Sequence, residues 1–283
     1  MSRSYQTIDC IILSKDRPAQ LDLLIRSIRK NTPAHMFNII CLIIGSNEDY
    51  NDGYRKLYRK NNIYPVYQLG FEQDVLGILK HICKNEFMCF MTDDDIVYKN
   101  ISENDMSDLE DSFSYSECFS LRLGQNTLMQ DQYTCKYVDP PLSFREVDKN
   151  VMCWNHWDLP DDENNFGYPM SVDGHIFKRR MMAGFLNNCK FHNPNSMEAE
   201  LRKFKRKIAP IMCSFTHSVL INSPNNRVAD CNNSAGLIFP MDQKETNQRF
   251  LDGEEIDLES IDFSHIIGTH QELEMKYVHY PNN

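Results

Sequence analysis

The stretch Glu86-Phe-Met-Cys-Phe-Met-Thr-Asp-Asp-Asp-Ile-Val-Tyr98 decides how this chain is read. An apolar run, Phe87 to Met91, stops at three consecutive aspartates, Asp93, Asp94 and Asp95. A buried strand that ends in carboxylates delivers negative charge to one edge of a sheet. In open α/β sheets that carboxyl edge is where ligands bind. Adjacent carboxylates repel one another, and a cation or a basic partner relieves the repulsion. If the backbone stays extended, Asp93 and Asp95 point the same way. They are then the natural pair for one hard divalent cation, which can in turn hold a diphosphate. The plain alternative is a solvated Asp-rich turn, since Asp favours turns.

Upstream, Ile8-Asp-Cys-Ile-Ile-Leu-Ser14 reads as a buried strand and Lys15-Asp-Arg-Pro18 as a polar turn. Leu21, Leu24, Ile25 and Ile28 follow at helical spacing. Phe37–Ile44 is a second strand, Tyr50–Lys60 a short helix and Val66–Leu69 a third strand. Val75, Ile78, Leu79 and Ile82 predict a helix before the fourth strand. This alternation predicts an α/β fold, a mostly parallel central sheet flanked by helices. Downstream, Cys118–Leu123 and Val172–Phe177 read as strands, and 178–186 and 197–207 as helices. Met212–Ile221 reads as one late strand. Residues 124–165 read as a long functional loop region, and the acidic, weakly periodic segment from Gln243 as a surface wrap. One domain over 1–283 is expected.

The net charge of −10 argues against non-specific binding to nucleic acid or acidic membranes. A metal ion can still supply the positive charge that phosphates need. The ten cysteines include no C-x-x-C pair, so they read as reduced thiols rather than a zinc site. No targeting segment and no apolar window of roughly 20 residues is visible, so a cytoplasmic protein without a membrane span is expected.

With these residues in place, the chain resembles a glycosyltransferase of the GT-A type, similar to family 2. Ile11-Ile-Leu-Ser-Lys-Asp-Arg-Pro-Ala-Gln-Leu21 is similar to the opening strand and turn of those enzymes, and Met91-Thr-Asp-Asp-Asp95 stands in the place of their DxD motif. The resemblance spans residues 8–100 and, more loosely, 165–205. It implies a Rossmann-like nucleotide-diphospho-sugar transferase fold whose first hundred residues bind the donor, with 101–242 binding the acceptor. It implies Mn2+ or Mg2+ held by Asp93 and Asp95, with His217 as a third ligand and His265 and His270 as weaker rivals. The implied donor-binding set is Ser14, Arg17, Asn47, Asp74, Asp93, Asp94 and Arg227. Arg17 could equally pair with a phosphate or with an aspartate of the site.

The second constellation is Gly167-Tyr-Pro-Met-Ser-Val-Asp-Gly-His-Ile-Phe-Lys-Arg180, followed by Asn193-Pro-Asn-Ser-Met-Glu198. Read structurally, its Gly and Pro shape turns. Ser196 caps a helix and puts Glu198 at the second helical position, where the dipole favours a carboxylate. Read functionally, Asp173, His175 and Glu198 surround the acceptor. The family's usual Glu-Asp pair is here Met197-Glu198, so inversion and retention both stay open. Inversion needs one carboxylate to take the acceptor proton, with Glu198 first and Asp173 second. Trp154 and Trp157 either stack on acceptor sugar or anchor their loop by burial. Arg122 and Asn126 could contact sugar or acceptor.

The expected function is metal-dependent transfer of a sugar from a nucleoside diphosphate sugar to a hydroxyl acceptor, with inversion favoured. One alternative is a sugar-phosphate nucleotidyltransferase, against which Ser14-Lys-Asp-Arg-Pro18 lacks a glycine-rich phosphate loop. Another is a non-catalytic carbohydrate-binding protein on the same scaffold.

Overall fold

The structure, a computed structural model, describes residues 5–61, 63–130, 132–133, 136–148, 150–160, 165–228 and 235–279. Cys135, Cys231 and the acidic run 161–163 lie outside them. β1 (Ile8–Lys15), β2 (Phe37–Ile44), β3 (Pro65–Tyr67) and β4 (Phe87–Thr92) run parallel in the order β3-β2-β1-β4. The near-continuous apolar runs of β1, β2 and β4 follow from burial on both faces. Along β1, Ile8, Cys10 and Ile12 face one core layer while Ile11 and Leu13 face the other. The same period of two separates Phe87, Cys89 and Met91 from Met88 and Phe90 on β4.

Helices α1 (Pro18–Asn31), α2 (Glu48–Asn61) and α4 (Glu103–Ser112) bury Leu24, Tyr54 and Leu109 in the first layer. Helices α3 (Phe71–Gly77), α5 (Arg179–Leu186) and α6 (Pro194–Leu201) bury Val75, Met182 and Met197 in the second. Beyond β4 the sheet turns mixed. The strands there are β6 (Cys118–Ser120), β7 (Arg145–Asp148), β8 (Val151–Asn155), β9 (His175–Lys178) and β10 (Ile211–Phe215), in the order β4-β9-β6-β10-β8-β7. A separate antiparallel pair joins β5 (Asp95–Val97) to β11 (Leu220–Asn222).

Three segments differ from their sequence reading. The middle region carries the β7–β8 hairpin, and β8 pairs with β10, so Val151–Trp154 is sheet core rather than loop. The late strand breaks into β10 and β11, which belong to different sheets, and His217 sits on the turn between them. The segment after Gln243 is not only a surface wrap. Helix α7 (Gln243–Asp252) packs on α1 and α2 through buried Phe250. Strands β12 (Glu254–Ile256) and β13 (Tyr277–His279) pair, and Ile261, Ile266 and Leu273 between them join the core. Among the described residues, no helix is long and apolar enough to cross a membrane, and the eight described cysteines are free and buried.

Candidate active site

The chain leaves β1 for β2 and β3 on one side and returns to β4 on the other. The carboxyl ends of β1 and β4 therefore flank the topological switch point, where open α/β sheets form their ligand crevice. A cleft of about 830 Å³ opens there. Ser14, Arg17, Thr92, Asp93, Asp94, Asp173, Glu198, Asn222 and His270 line it.

The β1 side is built by a tight turn. Asp16 adopts φ 57°, a left-handed conformation that Asp tolerates better than most residues, and Ser46 N–H donates to its Oδ1 at 2.5 Å. Arg17 occupies the N-cap of α1 without capping it, and Pro18 opens the helix, which leaves the Arg17 side chain to the cleft. Its Nη1 donates to Asp93 Oδ1 at 2.9 Å and Asp94 Oδ2 at 2.8 Å. Its Nε donates to Asn226 Oδ1 at 2.6 Å, and Nη2 to the Asn226 carbonyl. Burial opposes the charge on Arg17, but Asp94 and Asp93 outweigh it and raise its pKa. The Tyr54 hydroxyl supports this turn, 2.7 Å from Ser14 Oγ and accepting from Arg17 N–H at 3.2 Å.

On the β4 side, Asp93 and Asp94 form a turn, which breaks the alternation assumed for an extended chain. Asp95 is fully buried and folds back, accepting from Thr92 N–H at 2.9 Å and from Asn222 Nδ2 at 3.1 Å. Of the three consecutive aspartates, Asp93 and Asp94 thus line the cleft and Asp95 does not. Burial pushes Asp93 up to about 6 even with Arg17 beside it.

Further lining comes from the segment before β9 and from α6. Asp173 accepts from Thr92 Oγ1 at 3.2 Å and from buried Arg122 Nη1 at 3.0 Å, with His270 Nε2 3.3 Å away. Burial raises the Asp173 pKa, but the His270 hydrogen bond and the Arg122 charge overcome it and bring it down to about 2. Asn193, not Ser196, is the N-cap of α6; Ser196 returns the bond as its capping-box partner. Glu198 therefore falls on the fifth helical position. It reaches across the cleft wall, and Val172 N–H donates to its Oε1 at 3.0 Å. Burial and the Asp173 charge raise its pKa.

Other expected residues lie elsewhere. Trp154 is buried, donating from Nε1 to the Phe166 carbonyl at 2.8 Å, and Trp157 packs under Arg206 and donates to the Lys205 carbonyl. Neither lines the cleft; both anchor their segment. His217 is exposed and away from the cleft. Asn47 accepts from Tyr50 N–H at the start of α2, and Asp74 accepts from Leu69 and Gly70 N–H, so both serve local turns. Arg227 is exposed between Pro224 and Val228, which do line the cleft. Arg122 acts inside the protein as a counterion, and Asn126 bonds Tyr98 and Ser218. His270 lines the cleft beside Asp173, and Asn222 and Asn226, which the sequence reading did not name as site residues, bond Asp94 and Arg17.

His175 is fully buried behind Asp173, its Nδ1 2.9 Å from the Pro169 carbonyl, and burial depresses its pKa to about 3. The unfolded chain takes up this proton near 6.5 and the folded chain only near 3. Between those values the unfolded state binds more protons, so His175 makes stability fall as pH falls. The expected slope is up to about 1.4 kcal/mol per pH unit. Urea unfolding from pH 4 to 7 measures it, and His175→Gln should flatten it. An unchanged slope in that variant would assign the effect to other groups.

Carboxylate oxygens suit a hard divalent cation, so the donor chemistry of Asp93 and Asp94 fits Mn2+ or Mg2+. In the present arrangement Arg17 takes one oxygen of each. Among the described residues, no three His, Cys, Asp or Glu side chains converge on one point.

No protein-family model and no curated protein matches the chain. Solved structures do. GalNAc-T7, crystallised with UDP, GalNAc and Mn2+, matches over 88% of this chain and 49% of its own, with a TM-score of 0.53 at 10% identity. The fold is GT-A. A truncated S. aureus TarS in complex with UDP matches over 77% of this chain and 62% of its own, with a TM-score of 0.47 at 15% identity. This chain spans 36% of a longer TarS chain. At such identities the likeness concerns the GT-A fold, and activity must be argued from the site.

Proposed function

We propose that this chain is a glycosyltransferase that moves a sugar from a nucleoside diphosphate sugar to a hydroxyl acceptor, with inversion. One observation carries the reading. At the switch point of a GT-A sheet, a single cleft is lined by the linked Arg17, Asp93 and Asp94 and also by Glu198. Leu13, Leu42, Ile44 and Phe71 line the same cleft and suit the flat face of a base. Arg17 supplies a planar fork for the diphosphate. Glu198 takes the acceptor proton as the acceptor oxygen bonds to the anomeric carbon, and the electron pair of the breaking bond leaves on the diphosphate. A bound Mn2+ or Mg2+ would stabilise the charge on that leaving group. Arg122 and His270 keep Asp173 ionised, so Asp173 sets the field that raises Glu198 and is itself a poor base.

A thermal-shift panel of UDP, GDP, CDP and their sugars, each with Mn2+, Mg2+ or EDTA, tests this reading. One nucleotide should stabilise the protein in a cation-dependent way, by about 2.7 kcal/mol at a hundredfold excess over its Kd. No response to any nucleotide would favour the non-catalytic scaffold instead.

A further inference from the structure

We propose that Arg17 is an exchangeable internal cation. It occupies the acidic turn until the donor's diphosphate draws it away, so that nucleotide and divalent cation bind as a coupled pair. The inference rests on reading the cleft as the donor site. Every carboxylate oxygen of the turn has a partner in the free protein. Asp93 Oδ2 accepts from Lys15 N–H at 3.1 Å, and Asp94 Oδ1 accepts from Asn222 Nδ2 at 2.9 Å. The other two oxygens accept from Arg17 Nη1. A backbone N–H cannot withdraw, and Asn222 is also fixed by Thr92 and Asp95. Arg17 is the partner with both a charge and a long flexible stem. A divalent cation placed on the same oxygens would meet the guanidinium at close range, where like charges repel strongly. A diphosphate offers that guanidinium an equivalent anionic partner with matching fork geometry.

The latch is held on its far side by Asn226, through Nε and Nη2 of Arg17. Among the described residues, Asn226 Nδ2 is buried without a hydrogen-bond partner. The left-handed turn at Asp16 aims the arginine into the site, and its carbonyl is held by Gln243 Nε2.

Coupling between two ligands is reciprocal and typically about 5–150-fold. Mn2+ binding followed by electron paramagnetic resonance, with and without UDP, tests the latch in wild type, Arg17→Met and Asn226→Ala. Wild type should bind Mn2+ weakly alone and at least about fivefold more tightly with UDP. Arg17→Met should bind Mn2+ alone more tightly than wild type and lose most of the UDP effect. Asn226→Ala loosens the arginine without removing it. It should shift Mn2+ affinity the same way by less, and it serves if Arg17→Met does not fold. Equal affinity for Mn2+ alone in wild type and the folded variants would overturn the latch. If the variants gain Mn2+ affinity but UDP binds to none of the proteins, the latch on the carboxylates stands and its release by this donor fails. The donor-site reading fails with it when GDP and CDP, tried in the same way, also bind to none of them.

Discussion

Glu198→Gln is expected to lower kcat by about 10²- to 10⁴-fold, the contribution typical of a positioned general base. Binding of nucleotide and cation should stay at the wild-type level, because Glu198 is held by Val172 N–H and feels Asp173 and Arg122, whereas Arg17 is bound to Asp93 and Asp94. Glutamine retains an oxygen to accept from Val172 N–H, so the α6 contact survives. The same substitution should raise the melting temperature. Burial and the Asp173 charge lift the Glu198 pKa above its ordinary 4.5. A raised carboxyl contributes stability below the unfolded pKa and loses it as pH climbs through the folded one. At neutral pH the ionised form therefore costs stability, and a neutral amide removes that cost. The activity limb has the opposite sign. The base must be ionised, so kcat/KM should fall as pH drops through the raised pKa, above the usual carboxylate range. Single-turnover kinetics with thermal denaturation check both halves. Wild-type turnover in Glu198→Gln would remove it as the base, and an equal loss of nucleotide binding would move it to the donor side.

The parallel half of the fold was legible because burial on both faces writes near-continuous apolar runs into β1, β2 and β4, and their order follows from right-handed crossovers. The mixed half was not. Strands such as β6 and β11 are three residues long and carry no period of their own; their pairing comes from tertiary contacts. At the site, the extended-strand logic that found the aspartates put Asp93 and Asp95 on one side, whereas Asp95 folds back onto Thr92 and Asn222. Three carboxylates in succession favour a turn, and the Asp93-Asp94 turn changes which side chains face the cleft. His270 carries no local signal that ties it to Asp173. It comes from a non-regular segment more than 90 residues after Asp173 in the chain, and only folding brings them to 3.3 Å. For the tryptophans the structure favours the anchoring alternative. An indole N–H needs an acceptor when buried, and the Phe166 and Lys205 carbonyls supply them, so anchoring explains both residues.

Arg122→Met should cost about 3–5 kcal/mol of stability, the range for breaking a buried ion pair by removing one partner. Arg122 is only 2% exposed, and its Nη1 bonds Asp173 Oδ2 at 3.0 Å. Without it, Asp173 keeps Thr92 and His270, and His270 compensates the charge only when protonated. Asp173→Asn in the Arg122→Met background should recover most of the loss, because the uncompensated charge, rather than the missing packing, is the larger penalty. Urea unfolding of the four proteins in a double-mutant cycle gives the coupling directly. Additive losses would show that the two groups do not act as a pair. The cycle also bears on chemistry. The Arg122 charge lowers the Glu198 pKa that Asp173 raises. Removing Arg122 should therefore move the acid limb of kcat/KM to higher pH, while removing Asp173 should move it lower. Opposite displacements from two residues in contact with each other would tie the buried pair to the proton affinity of Glu198, which a purely structural role for Arg122 and Asp173 does not produce.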